Sequence, residues 1–506
     1  MLQKTIGQIL PETAEKFAAK TALIFDGRHF TFAELETLTN RVANSLRAIG
    51  IGPGDRVTLY AQNGWEWVVS YYAVAKLGAV INPINVMLTP EEVGFVVKDC
   101  GAAALITTPE RAAPILGLKQ DSHLKEIIVF GDEALDGVAS FNEMARAGAA
   151  GFDPVKVDAG ELSTICYTSG TTGFPKGAML SHRNVVLNSA ITAAMNMRTE
   201  HDVQMTALPL AHVYGAAVMN LCFLFGITFV MLERFDAKKS MEAIQTHKVT
   251  IMDGVPTMYF YILADPEFDS YDLSSLTRCV VGGQAMPAAK SEEWTARAGC
   301  GIFELWGMTE LAGPGLMQHD YGENRLGSVG IEMLYFRARI VDPEDPNKEM
   351  PVGEVGELMV WGPLVMMGYF GNDQATKEAI EPDGWMHSGD LARMDEDRYF
   401  YIIDRKKDMI LTAGFNIYPA EIERVISGHK SVAMVGVGGK EDAEKGEIAK
   451  AYVVLKPGET ATPDDITAFC REHLAVYKVP REIQIVDDLP TTSTGKILRR
   501  ELHTLD

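Results

Sequence analysis

Along the first 300 residues, short apolar runs alternate with segments whose apolar positions recur at helical spacing. RVTLYAQ at 56–62 predicts a strand, WEWVVSYYAVAKLG at 65–78 a helix, and AVINPIN at 79–85 another strand. TPEEVGFVVKDCG at 89–101 follows, with Thr89, Pro90 and Glu92 placed as a capped helix start, and then the strand AALITT. A second series begins near STICYTSG at 163–170. It runs through a helix from Ser181, the strand ITFVML, the helix DAKKSMEAIQTHK and the strand VTIMDGVP, then LTRCVVGGQ at 276–284, a helix after Pro287 and IFELW at 302–306. Such alternation marks α/β units on mostly parallel sheets, and two doubly wound layers side by side account for it. The N-terminal stretch MLQKTIGQILPETAEKF reads as an amphipathic helix without a signal-peptide core.

From about residue 327 the pattern changes to β-rich, glycine-bearing segments such as SVGIEMLYFRARIVD and GEVGELMVWG. Beyond Asp404 it becomes a small α+β unit, with helices in PAEIERVISGH and TPDDITAFCREHLAVY and strands in SVAMVGVGG and IAKAYVVLK. The expected fold class is α/β. A large N-terminal domain over 1–404 would hold two doubly wound α/β subdomains plus a β-rich subdomain, a hinge would lie at 405–408, and a small C-terminal α+β domain would fill 409–506.

Composition narrows the function classes. The 506 residues exceed what one core supports, and 47% hydrophobic content is ample for packed domains. A net charge of −22 would repel nucleic acid overall. The six cysteines are scattered with no CxxC pair or ligand-spaced cluster, which favours reduced thiols, a cytoplasmic setting and no structural zinc. GAAVMNLCFLFGITFVML at 215–232 approaches the length of a membrane span, yet Asn220, Gly226 and Thr228 interrupt it. A buried helix turning into a buried strand is the better reading, so no transmembrane segment is expected.

One segment concentrates chemistry. YTSGTTGFPKG at 167–177 joins a strand to a loop of hydroxyls, three glycines and a lysine. Glycines let backbone N–H groups approach an anion closely. Thr168, Ser169, Thr171 and Thr172 add donors, Gly170 and Gly173 add freedom, and Lys176 adds charge. This is a phosphate cradle by composition. It is not a Walker loop, because Pro175 precedes Lys176 and Gly177 follows it.

The string resembles the signature loop of the adenylate-forming superfamily: acyl-CoA synthetases, firefly luciferases and peptide-synthetase adenylation domains. Further matches follow in the family's order: LPLAHVYG (208–215), GGQAMP (282–287), ELWGMTE (304–310), HSGDLARMD (387–395), IIDRKKDMILTAGFNIYPAEIE (402–423) and PTTSTGKILRREL (490–502). Six motifs in order leave no room for accident, and the chain is most similar to fatty-acyl and aryl-CoA ligases.

The resemblance implies a two-step reaction in which an acid attacks the α-phosphorus of ATP and the acyl-adenylate then passes its acyl group to a thiol. It implies ATP, Mg²⁺ and coenzyme A as co-substrates and cofactors, with Glu310 and Thr168 at the metal and Thr309 on the α-phosphate. Trp306 would stack on adenine, with a core tryptophan as the alternative reading. Gly283, Gln284 and Ala285 would line adenine's other face beside Gly307. Asp390 would accept the ribose hydroxyls and Arg405 would assist, or the two would form an ion pair between loops. Lys496 would bridge the acid and the α-phosphate. The small domain would rotate about Lys407, exchanging Lys496 for a thiol tunnel flanked by Gly414, whose alternative is an ordinary turn glycine.

His212 is expected to pack beside the reacting carboxylate rather than act as a base. Val213, Tyr214, Gly215 and Gly283 would line the acyl pocket. His-Val-Tyr-Gly offers no carboxylate for an ammonium, so an amino acid is disfavoured. The Tyr214 hydroxyl would bond a phenolic substrate or simply cap the pocket. A medium- or long-chain fatty acid is the leading expectation, with a hydroxycinnamate or a carrier-protein thiol as alternatives. The expected partners are the small-molecule acid, ATP and CoA, and a homodimer is compatible with the sequence.

Overall fold

The computed structural model describes residues 3–131, 136–168, 175–412, 415–442, 446–492 and 496–506. Two large mixed sheets carry most of the chain. The first has eight strands in the order Gly368–Tyr369, Lys176–Ser181, Leu162–Thr168, Val80–Pro83, Arg56–Tyr60, Ala102–Thr107, Glu126–Val129 and Ala139–Ser140. The second has nine, running from Ile331–Glu332 through Gly313–Met317, Ile302–Met308, Arg278–Gly282, Ile251–Gly254, Val203–Thr206 and Thr228–Met231 to the hairpin Thr21–Phe25 and Arg28–Thr31. Their central strands are parallel and buried, as the near-continuous apolar runs require.

The two series of strands do not map one to one onto the two sheets. The strand Leu162–Thr168, expected to open the second series, instead lies beside Val80–Pro83 in the first sheet and pairs antiparallel with Lys176–Ser181. The N-terminal hairpin crosses over to the second sheet, with Leu23 opposite Phe229. Apolar runs locate strands, but neighbours in a sheet are chosen by packing far along the chain.

Between the sheets lie the helices His182–Met195 and Val213–Phe225, in contact with each other. The second is the membrane-like stretch. It ends at Gly226 in the left-handed region (φ 70°), where a Cβ would sit 2.6 Å from the Phe17 ring, and the strand Thr228–Met231 follows. Among the described residues, no helix is long and apolar enough to cross a membrane.

A five-stranded antiparallel sheet spans Arg337–Asp342 to Phe400–Arg405. Beyond it, the strands Ile410–Thr412, Phe415–Ile417, Val432–Asp442, Gly446–Leu455 and Glu482–Ile485 form a separate sheet, which has its own core with the helices Pro419–Ser427 and Pro463–His473. The latter helix stops sooner than its sequence pattern suggests, because Leu474 is already extended.

Candidate active site

The strands Leu162–Thr168 and Lys176–Ser181 meet with Thr168 opposite Lys176, and the Thr168 hydroxyl approaches the Lys176 carbonyl at 3.4 Å. Ser169, Gly170, Thr171, Thr172 and Gly173 lie outside the described residues. Gly177 is dictated by packing: a Cβ there would meet Ile165 at 2.8 Å and the Tyr167 ring at 3.2 Å. The Lys176 ammonium stands 5.5 Å above the ring of Tyr369. Tyr369 arrives on the short edge strand that pairs with Ala178, and its hydroxyl donates to Glu310 Oε1 at 2.8 Å. Burial and the neighbouring Glu310 carboxylate push its phenol well above the ordinary range, so it remains a donor.

Glu310 sits in the turn Thr309–Leu311 that closes the strand Ile302–Met308. Ala312 (φ 59°) and Gly313 (φ 142°) turn the chain back, and at Gly307 a Cβ would lie only 2.3 Å from the Gly313 carbonyl oxygen. The adjoining helix fixes the turn. Asn188 donates to the carbonyls of Leu311 and Pro314 at 3.0 and 2.7 Å, and four residues earlier Asn184 donates to those of Pro363 and Val365. Both asparagines escaped the sequence reading, since a polar residue in a helix carries no mark of its acceptor. Among the described residues no group of three or more metal-ligating side chains exists. One buried carboxylate beside a hydroxyl and a cation suits Mg²⁺, which binds through one or two carboxylates and the substrate's phosphates rather than in an all-protein cage.

Across the cleft, Asp390 and Arg405 are directly paired on adjacent strands, with Arg405 Nε 2.7 Å from Asp390 Oδ1. The other carboxylate oxygen accepts the Trp306 indole N–H at 2.7 Å. Trp306 is thus buried and anchored by its edge. Burial raises the Asp390 pKa, opposed chiefly by Arg405 and then by Trp306. Beneath this layer, Glu304 accepts the N–H groups of Gly327 at 2.9 Å and Met286 at 3.4 Å, tying down the loop that carries Gly283, Gln284 and the exposed Ala285. Burial lifts its carboxyl to about 7.

Lys496 enters from the small domain. Gly283 is left-handed (φ 92°), and a Cβ there would lie 2.8 Å from Lys496 Cε, so the room at this glycine is used by the lysine. Burial, reinforced by Arg405 and offset by Asp390, lowers the Lys496 pKa to about 8. His212 caps the helix Val213–Phe225, its Nδ1 accepting the Tyr214 N–H at 3.2 Å. Burial and then Lys496 depress its pKa to about 3, which leaves a neutral ring unsuited to take a proton near neutrality.

Of the four residues expected to line an acyl pocket, Val213, Tyr214 and Gly215 lie on this helix, whereas Gly283 follows the strand Arg278–Gly282. At Gly215 the space a Cβ would take is filled by the Pro209 carbonyl, 2.3 Å away, so it opens no pocket. The Tyr214 hydroxyl donates to Asp253 Oδ1 at 3.0 Å, and Arg198 and Gln204 complete that buried network. It is therefore not free for a phenolic substrate. Val213 faces a narrow, largely apolar crevice that also reaches His212, Cys166 and Tyr71.

Lys407 lies in the turn Lys406–Asp408, its pKa lowered by burial and by Arg405 and Arg500 against the opposing Asp408. Arg499 bonds Asp404 at 2.6 Å, Asp408 at 3.4 Å and Glu423 at 2.7 Å. The sequence motif contained Arg499, but nothing in its spacing named these partners. Gly414 lies outside the described residues.

Residues 10–370 match the AMP-binding enzyme family, and residues 421–496 match the AMP-binding enzyme C-terminal domain. The chain is 38% identical to a feruloyl-CoA synthase of Amycolatopsis sp over 96% of its own length and 95% of that protein's. It is 33% identical to a long-chain-fatty-acid–CoA ligase of Bacillus subtilis (strain 168), over 99% and 94%. The structure of the anthranilate CoA ligase AuaEII in complex with anthranoyl-AMP superposes with a TM-score of 0.94 at 29% identity, covering 100% of this chain and 98% of that one. ATP-bound MatB from Rhodopseudomonas palustris gives 0.89 at 31%, covering 99% of both chains. By the family matches over both parts of the chain and by these relatives, this chain belongs to the AMP-binding enzyme family and is an AMP-forming acyl- or aryl-CoA ligase that uses ATP, Mg²⁺ and coenzyme A.

Proposed function

We propose that the enzyme activates an acid that is neutral and apolar over most of its length, with a medium- or long-chain fatty acid as the leading substrate. The supporting observation is the electrically neutral lining of the crevice beside His212, together with the engagement of Asp253 by Arg198 and Tyr214. A buried ammonium or second carboxylate would find no partner there. A hydroxycinnamate-type acid is the second reading, favoured by the identity to a feruloyl-CoA synthase.

The geometry supports the following residue roles. The Lys496 charge is felt at His212 and itself feels Arg405 and Asp390, so a compact cation there would neutralise both the carboxylate and the α-phosphate. The acid's oxygen then forms a bond to phosphorus while the bond to the β-phosphate breaks and pyrophosphate leaves. Bound at Glu310 and Thr168, Mg²⁺ would supply charge neutralisation on the phosphates. Asp390 and Arg405 would hold the ribose, and Trp306 would form the wall beside it. In the second step the CoA thiol attacks the carbonyl carbon, loses its proton and expels AMP. We assign that step to a second arrangement in which the domain over 409–506 turns about 405–408, withdrawing Lys496 and presenting Gly414.

Pyrophosphate release and acyl-CoA formation, measured across saturated C6–C18 acids, cinnamates, a malonate-type diacid and amino acids, test this reading. Turnover with neutral apolar acids is expected. A preference for the diacid or an amino acid would overturn it.

A further inference from the structure

The Thr168–Lys176 pair is braced by the side chain next to it. Tyr167 faces Gly177 across the strands Leu162–Thr168 and Lys176–Ser181, one position beyond that pair. Its ring covers Gly177: a Cβ there would lie 3.2 Å from the ring carbon that bears the hydroxyl. The hydroxyl donates to Oδ2 of Asp99, the last residue of the helix Pro90–Asp99 and 68 positions away in sequence. Burial, and then the bond to Asp99, pushes the phenol well above the ordinary range, so Tyr167 keeps its proton and donates it. Asp99 stands on fixed ground. Its helix buries Val93, Val96 and Val97 in a core against which the half-buried Tyr167 also packs. Just beyond the helix, Arg56 donates to the carbonyls of Cys100 at 2.6 Å and Gly101 at 2.8 Å. The Gly177 carbonyl in turn accepts the Phe370 N–H at 2.8 Å, next to the Tyr369 ring that faces the Lys176 ammonium.

We propose that Tyr167 is a positioning residue for adenylation, whose tie to Asp99 fixes the two strand arms and so the places of Thr168 and Lys176 on the phosphates of ATP. The inference rests on the assignment of those two residues to the phosphates and names what sets them. Without the hydroxyl the ring keeps only its packing, so it can swing off Gly177 and let the arms part. Lys176 is the next residue along. A cation displaced by a fraction of an ångström loses stabilisation of the transition state although the fold is intact. The thiol step begins after pyrophosphate has left, so it should not depend on the tie.

The test measures the two half-reactions separately. Tyr167→Phe should lower kcat/KM for ATP in pyrophosphate release, at saturating acid, by about tenfold, the effect of losing a hydrogen bond to a charged group. Acyl-CoA formation from supplied acyl-AMP and CoA should stay within about twofold, which also reports that the variant folds. Asp99 is exposed, so its variants probe the tie without disturbing a core. Asp99→Ala should match Tyr167→Phe, and Asp99→Asn, which keeps an acceptor oxygen, should recover most of the rate. The double variant Tyr167→Phe/Asp99→Ala should be no slower than either single change. Losses that multiply in the double variant, a wild-type adenylation rate in Asp99→Ala, or equal losses in both half-reactions overturn the proposal. Lys176→Ala tells the two readings apart. Unimpaired adenylation in that variant sinks the phosphate assignment and this inference with it, whereas slow adenylation there beside a normal rate in Tyr167→Phe sinks the inference alone.

Discussion

Among the described residues the Glu310 carboxylate has one side-chain donor, Tyr369. Removing that hydroxyl leaves a buried carboxylate oxygen unpaired beside the position proposed for Mg²⁺. Tyr369→Phe is therefore expected to lower kcat/KM for adenylate formation about tenfold, a charged hydrogen bond's worth, while CoA transfer from supplied acyl-AMP changes little. Equal loss in both half-reactions, measured separately, would refute a role at the phosphates. Lys496 makes a second residue-scale prediction. Its pKa is lowered to about 8, and a lysine carries charge only below its pKa. The adenylation kcat/KM, which reports the free enzyme, should then decline as pH rises through about 8. Lys496→Ala should be far slower and lack that limb. An unchanged decline in the variant would assign the ionisation elsewhere. Lys496 was legible because it sits in a quoted motif, whereas Tyr369 was not. A tyrosine next to the end of the apolar run VMMGYF gives no hint that its edge strand will carry it to Glu310.

At the scale of elements, Arg499 is the clasp between the tail and the segment 404–408, where the hinge is proposed. Its guanidinium joins Asp404 on the strand Phe400–Arg405, Asp408 in the following turn and Glu423 on the helix Pro419–Ser427. The clasp holds the Lys496 segment where it is observed. Arg499→Gln would leave three carboxylates facing one another without a cation, which is costly for a buried group. The variant should form adenylate at least tenfold more slowly and keep thioester formation from acyl-AMP. The opposite split would show that the clasp belongs to the other arrangement. Element existence was largely readable: the capping box at Thr89 and Glu92 and the N-cap at Ser181 start helices where the sequence places them. Sheet membership was not readable, because Leu162–Thr168 and Thr21–Phe25 take partners that only long-range burial selects. The glycines divide similarly. Gly283 and Gly307 were identified by motif, yet the atoms that forbid a side chain there, Lys496 Cε and the Gly313 carbonyl, belong to segments remote or folded back in space.

For the whole molecule, the question is whether one arrangement of the two domains can complete both chemical steps. In the observed arrangement Lys496 fills the gap at Gly283, and Lys290 of the large domain lies against Lys456 of the small one, the latter's pKa lowered by burial and then by Lys290. Glu293, paired with Lys290 at 2.9 Å, also attracts Lys456 and offsets part of the repulsion between the two ammonium groups. The interface also offers a lock: all six native cysteines are buried, whereas Tyr261 of the large domain and its neighbour Asp488 of the small one are exposed, so a Tyr261→Cys/Asp488→Cys pair would be the accessible thiols. Bridged by a short bis-thiol reagent, the enzyme should release about one equivalent of pyrophosphate and retain the acyl-adenylate. It should form no acyl-CoA when CoA is added. An otherwise identical reagent with a cleavable disulfide should restore turnover on reduction. If the bridged enzyme instead makes acyl-CoA at the rate of the unbridged variant, both steps occur in the observed arrangement, and rotation about 405–408 has no part in the reaction.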